Sequence, residues 1–226
     1  MILIKDAHDF IRMQIKKNKL GFVSPEDIDR AVNRGVSDWM SAVVYKYKKS
    51  GKYEYDHLLV KRTLYSVTAS TGVQALPSDY TEALTIYVNN NGTLTEGTVY
   101  SWDEFLEVKN SKILTPDLSY PAATIYMEDV ASVPTAKIEF APIPISGTTV
   151  FTFVYMRRPA TAVYKYIVSS GNITYVNENS VNIDLDDRYF SDILSRALFY
   201  LGISLHDADI AGIEGAKDNL QKNDER

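Results

Sequence analysis

A chain of 226 residues, 45% hydrophobic and 23% charged, is long enough to bury a core, which excludes a disordered or low-complexity polymer. It has no cysteine, so disulfides and thiolate metal sites are excluded, and its net charge of −5 argues against a dedicated nucleic-acid binder. No apolar run reaches about 18 residues, so no membrane span is expected, and the first residues lack a signal-peptide core.

The charge is uneven along the chain. Residues 1–66 hold 13 Lys and Arg against 8 Asp and Glu, while the remainder holds 11 against 21. Such polarity suits head-to-tail contacts or docking on an oppositely charged partner; the plainer reading is a solvated surface. The 16 tyrosines suit half-buried contact surfaces and β-strands alike, and both readings stay open.

The first region, 1–66, reads as helical. In "DAHDFIRMQIKKNKLG", Phe10, Ile11, Ile15 and Leu20 fall near helical spacing, with Gly21 as the stop. A second helix begins at Ser24 as N-cap and Pro25 as first residue, with Glu26, Asp27 and Asp29 in its opening turns. Ile28, Val32, Val36, Trp39 and Val43 mark its apolar stripe, and the basic "KYKKSG" suits its C-terminus, with Gly51 beyond. A shorter helix is expected from Asp56 to Tyr65.

The second region, 67–183, reads as β-rich. "LPSDY" turns the chain into a strand at Ala83–Val88, and "NNNG" (Asn89–Gly92) offers an Asn-Gly hairpin turn. Ser101 with Glu104 three residues on forms a capping box, so a short helix is expected in "SWDEFLEVKNS". "TIYMED", "AKIEFAP", "TVFTFVYMRRP" and "VYKYIVSSGNITYV" read as strands punctuated by Pro142, Pro144 and Pro159, the last stretch as a hairpin around Ser169–Gly171.

The third region, 184–226, carries Phe190, Ile193, Leu194, Ala197, Leu198 and Leu201 on one helical face that stops at Gly202; this helix is expected to join the first region. A weaker helix is expected over Asp207–Lys222. The fold expected from these parts is α+β: an N-terminal helical layer, a central antiparallel β-sandwich or barrel-like domain, and a C-terminal helix packing back on the N-terminal helices.

Three aspartates, Asp184, Asp186 and Asp187, open that last helix. Asp184 reads as its N-cap and the others as first-turn acids, worth a few tenths to about 1 kcal/mol each. A calcium loop counted from Asp184 needs Gly at its sixth position and Glu at its twelfth, but Tyr189 and Ser195 stand there. His8, His57 and His206 lie far apart, and no H-E-x-x-H, G-x-S-x-G, P-loop or G-x-G-x-x-G occurs. "DAHD" and "LHDAD" read as polar surface helix. No catalytic, metal or cofactor residue is therefore assigned, and no cofactor is expected. Arg157-Arg158 can meet a phosphate or a partner's carboxylate, or can simply end a strand in solvent.

The order of the segments "GFVSPEDIDRAVNRGVSDWM", "ALPSDYTEALTIYV", "WDEFLEVKNSKILTPDLSYPAATIY", "AKIEFAPIP", "VFTFVYMRRPA" and "RYFSDILSRALFYLGISLHDAD" resembles the head-to-tail connector proteins of short-tailed bacteriophages. The likeness is nearest to the ring (adaptor) proteins of crAss-like phages, and looser to the tail tubular adaptors of podoviruses. It runs from about Gly21 to Asp209, on soft motifs that carry over no binding residue.

The resemblance implies a structural virion protein of the tail or neck, assembled in the bacterial host cytoplasm and building a ring, typically of twelve copies, below the portal protein. Packaged DNA passes through such a ring without sequence-specific contacts. Charge adds an expectation: the acidic part lines the channel, and the basic helical part docks through Lys46, Lys48 and Lys49, with Arg157 and Arg158 as further interface candidates. The stretches Asn89–Thr98 and Ser111–Pro121 are expected to be contact loops or ordinary surface loops. Two other classes compete: a carbohydrate- or peptide-binding β module, whose mark is a concave aromatic cluster, and a hydrolase with an unrecognised carboxylate pair.

Overall fold

The computed structural model describes residues 1–18, 21–50, 59–90, 92–130, 133–145, 147–170 and 172–202. Leu20, Gly51, His57, His206, Gly171 and the helix expected over Asp207–Lys222 lie outside the described residues. The chain divides into two compact units, Met1–Leu58 with Pro159–Arg226, and Leu59–Arg158.

The first unit is built on helices. α1 spans Ile4–Lys17 and buries Ile4, Ala7, Ile11 and Ile15, with Phe10 half-buried. It ends before the expected Gly21, at Asn18, whose amide nitrogens bond back to the carbonyl of Gln14. α2 spans Pro25–Ser50, and the Ser24 hydroxyl accepts from the Asp27 amide at 3.1 Å, as the N-cap reading requires. Its whole predicted stripe, Ile28, Val32, Val36, Trp39 and Val43, is buried. A short hairpin, β8 (Tyr166–Ser169) with β9 (Asn172–Tyr175), also belongs to this unit.

α4 (Phe190–Tyr200) follows a 3₁₀ turn at Asp187–Tyr189 and buries Ile193, Leu194, Ala197 and Leu198. It packs on α2, so the C-terminal helix does return to the N-terminal ones. The approach is close because α2 has a glycine at the crossing. A Cβ on Gly35 would stand 2.7 Å from the carbonyl oxygen of Ile193 and 3.0 Å from the amide of Ala197. The helix sacrifices about 1 kcal/mol of propensity there to let two backbones meet.

The second unit is a seven-stranded sheet in the order β1-β7-β3-β4-β5-β6-β2. Its strands are β1 Val60–Val67, β2 Val73–Ala75, β3 Tyr80–Asn90, β4 Thr93–Tyr100, β5 Ala122–Val130, β6 Val133–Ala141 and β7 Thr149–Arg157. All neighbours are antiparallel except β4 and β5, which run parallel from Thr98↔Ala122. Parallel neighbours need a crossover, and α3 (Trp102–Asn110) supplies it. The expected capping box starts that helix, the Glu104 carboxylate accepting from the Ser101 amide at 3.1 Å.

Alternate residues of β7, Phe151, Phe153 and Tyr155, point into the core beside Ile86 and Val88 of β3 and Phe140 of β6. Phe140 and Phe151 stack with centroids 4.8 Å apart, Phe153 and Tyr155 at 5.3 Å. The sheet curls until its ends meet: Tyr65 of β1 lies 5.3 Å from the Phe140 ring, and its hydroxyl donates to the carbonyl of Ala75 in β2 at 2.9 Å. Burial in this seam pushes the Tyr65 hydroxyl up to about 12. The expected α+β architecture therefore holds, with a near-barrel sheet as its β part.

Several local expectations are corrected. Val60–Val67 is a strand, where a helix was expected from Asp56 to Tyr65. Its pairing with β7 over eight residues, with Thr63, Tyr65 and Val67 turned inward, decides for the strand. Most of the stretch Asn89–Thr98, expected as a loop, is strand: β4 begins at Thr93 and pairs with the end of β3. The cap before α4 also shifts: Asp186 accepts from the Arg188 amide at 3.0 Å, while Asp184 instead accepts from the Ala160 amide at 3.0 Å.

Asp79 ties three strands of the second unit at one corner. Its carboxylate accepts from Lys61 Nζ at 2.7 Å and from the Tyr155 hydroxyl at 2.9 Å, and its carbonyl from the Arg158 amide at 2.6 Å. Burial pushes this carboxyl up, but the Lys61 and Tyr155 hydrogen bonds and the Lys61 charge outweigh it and hold it below the ordinary 3.8. A depressed carboxylate stabilises the fold above its unfolded value and loses that contribution as pH falls through the folded one.

Two outcomes are expected in chemical denaturation. Gly35→Ala destabilises by about 1–3 kcal/mol despite its better helix propensity, because the methyl group drives α2 and α4 apart; a stabilised variant would show that the helices are free to separate. Asp79→Asn costs roughly 1 kcal/mol near neutral pH, and the gap from wild type closes between about pH 5 and about pH 2. A gap that is constant over that range would mean that the Asp79 charge is not what holds the corner.

Candidate functional site

The strongest polar constellation sits where the chain returns to its helices. Asp29 and Asn33, one turn apart on α2, face residues 160–166. Asp29 accepts from the Tyr164 amide through both carboxylate oxygens, at 3.0 and 3.2 Å. Asn33 exchanges two hydrogen bonds with the backbone of Ala162, each 2.8 Å. His8 Nε2 lies 2.8 Å from Asp29 Oδ1, and its ring stacks on Tyr164 with centroids 3.9 Å apart. The Arg12 guanidinium covers the Tyr164 ring at 5.1 Å.

This corrects the reading of "DAHD" as a polar surface helix, because His8 is fully buried. Its Nδ1 has no hydrogen-bond partner. An Nε2–H donor to Asp29 leaves Nδ1 as a bare lone pair, the less costly orphan. The histidine and the acid thus share a structural task, pinning a returning strand. Sequence reasoning placed Asp29 among dipole-favoured acids and missed Asn33; the available signal was the i, i+4 polar pair beside the buried stripe.

The clamp orients the β8–β9 hairpin. Tyr166 at its base donates to Glu26 of α2, which lowers the Glu26 carboxyl and raises the Tyr166 hydroxyl through that shared bond. The rings of Tyr164 and Tyr175 lie 5.0 Å apart across the base. Beyond it Ile167 and Val168 are 60% and 61% exposed.

A second display belongs to the sheet unit. The connection Ser111–Pro121 has no regular structure but is braced: Ser111 Oγ accepts from the amides of Ile113 and Leu114, and Asp117 Oδ1 from those of Ser119 and Tyr120. Pro116 is buried, and Leu118 packs on the sheet core. What this scaffold holds outward is apolar, with Ile113 at 92% and Tyr120 at 78% exposure. Exposed apolar groups on a braced loop are suited to contact with another protein.

The interface candidates divide between the units. Lys46, Lys48 and Lys49 are exposed near the C-terminal end of α2. Arg157 ends β7, half-buried, and its amide donates to the Leu59 carbonyl; Arg158 is exposed. Counted by compact unit, the charge asymmetry along the sequence is smaller. Leu59–Arg158 holds 7 Lys and Arg against 10 Asp and Glu, and the other unit 17 against 19.

Among the described residues, no three His, Asp or Glu side chains group as a metal site requires. Asp184 and Asp186 are engaged with backbone amides. No helix among the described residues is long and apolar enough to cross a membrane. The aromatic cluster of Tyr65, Tyr80, Phe140, Phe151, Phe153 and Tyr155 is packed into the sheet core.

Replacing Asp29 by Ala is expected to cost about 1–3 kcal/mol, since it strands the Tyr164 amide and His8 Nε2, and to raise hydrogen exchange at the Tyr164 amide selectively. Unchanged protection there would show that the clamp holds nothing.

Compared with known proteins, the chain is matched by the model of the family described as SU10 adaptor protein, over residues 6–223. No curated protein matches it.

Proposed function

The chain belongs to the SU10 adaptor protein family, and on that premise we propose that it forms a ring in the head-to-tail connector of a short-tailed phage, below the portal. Membership makes it a phage adaptor, a structural component of the virion tail or neck that assembles with other virion proteins. The observation that carries the finer reading is the extent of the match, which takes in both compact units rather than one borrowed module.

The surface chemistry supports it. A ring subunit meets unlike faces of its own copies and further proteins above and below. The braced Ile113–Tyr120 loop and the exposed hairpin are the apolar, preformed displays such contacts use. The near-balanced, slightly acidic charge of each unit suits a channel through which DNA slides, since strong phosphate attraction would slow it. Lys46, Lys48 and Lys49 stand together at one end of α2 and fit an acidic face of a neighbouring ring or portal. Twelve copies, the crAss-like affiliation and a role in genome ejection follow from the resemblance described above and form part of the same proposal.

Imaging of intact particles at subunit resolution tests the reading: a ring of copies at the neck is expected, and particles whose neck lacks this polypeptide would overturn it. Reversal of Lys46, Lys48 and Lys49 to Glu is expected to weaken docking at least tenfold at low salt, with the deficit shrinking as screening sets in. Docking indifferent to both the reversal and the salt would remove these lysines from the interface.

A further inference from the structure

Among the described residues, the β8–β9 hairpin is unlike every other strand pair. From Tyr166 to Asn177, twelve residues carry no charge. The hairpin forms a two-stranded sheet of its own, so both its edges are unpaired among the described residues. Isolated two-stranded sheets are marginal in water, and free edges are normally guarded by charges, Pro or bulges.

In the seven-stranded sheet such guards are present on the end strand β1, at Lys61, and on the stretches of interior strands that have a ladder on one side only: Glu82 on β3, Glu96 on β4, Glu128 and Asp129 on β5, and Pro134 on β6. β2 is three residues long, and the carbonyl of its Ala75 is taken by Tyr65. The hairpin has no guard at all.

Its hydrogen-bond phase is fixed. Val176 N donates to Lys165 O at 2.9 Å, and the register runs Tyr166↔Tyr175, Ile167↔Thr174, Val168↔Ile173, Ser169↔Asn172. Antiparallel pairs alternate between bonded and non-bonded, so the amides of Val168 and Ile173 point away from each other, outward along the two edges.

We propose that these edges pair between copies of this chain, the β9 edge of one subunit adding to the β8 edge of the next. The inference rests on the ring reading and names the contact that joins its subunits. Charge argues for a second copy as the occupant. The guarded edges of the sheet would bring a Lys, Asp or Glu against a strand with no counter-charge, whereas a neutral edge meets its own copy without repulsion or an unpaired ion. Each hairpin has one edge of each kind, so the addition repeats from subunit to subunit. A closed rotation then leaves no edge exposed.

Two experiments test it in assembled particles. The chain has no cysteine, so in particles built from a mixture of Val168→Cys and Ile173→Cys chains a short bismaleimide reads the contact directly. Cross-linked pairs are expected in the mixture and not in either variant alone. Absence of pairs, or pairs from Val168→Cys alone, would overturn the β9-to-β8 contact. The double variant Val168→Pro, Ile173→Pro removes only outward amides, which edge strands tolerate. Its copies per particle are expected to fall at least tenfold, while the isolated chain melts as wild type does. Undiminished incorporation would sink the inference. Wild-type particles imaged with a ring but failing both tests would discard this contact alone; particles without a ring would discard the ring reading itself.

Discussion

The first unit depends on a clamp made of two side chains. Asp29 and Asn33 receive a backbone that left the helices a hundred residues earlier, and they satisfy the amides of Ala162 and Tyr164 and the carbonyl of Ala162. Buried backbone groups with no partner are costly, so an extended segment crossing a helix face needs acceptors and donors at the right spacing. An i, i+4 pair on a helix provides them. With residues 160–166 seated, Asn182 can accept from the Ile4 amide, Ile183 can bridge to Ile2, and α4 can reach Gly35. The unit is discontinuous in sequence because these bonds make it so.

The second unit solves a different problem. A curled sheet with free edges invites pairing, and here the two end strands are brought to one seam by the Thr68–Thr71 turn and the Tyr65 hydroxyl. The single parallel pair, β4 with β5, forces the α3 crossover and with it the long connection that holds Ile113 and Tyr120 outward. Topology, more than the local sequence, therefore creates the apolar display. Gly97 permits the approach, since a Cβ there would stand 2.3 Å from the Pro121 carbonyl oxygen.

For an adaptor of the virion neck these are suitable traits. Asp29 and Asp184 hold backbone, Phe140, Phe151 and Phe153 fill the sheet core, and the exposed groups include a braced loop, an uncharged hairpin and a patch of lysines on α2. They lie on different parts of the chain, which suits the contacts proposed for a subunit with several neighbours.

Sequence by itself determined the elements whose cause is local. Ser24 with Pro25, the buried stripe from Ile28 to Val43, the Ser101–Glu104 box, the hairpin at Ser169 and the apolar face of α4 were legible because capping, helical periodicity and turn chemistry act over a few residues. The resemblance in segment order pointed to a phage adaptor. Tertiary structure alone decided that Val60–Val67 is a strand, since its pairing with β7 is remote in sequence. It alone buried His8 against Asp29, moved the cap from Asp184 to Asp186 by calling Asp184 to Ala160, and mixed the basic head of the chain with its acidic end. Those outcomes hang on contacts between residues far apart along the chain, and a local pattern carries no trace of the distant group that completes it.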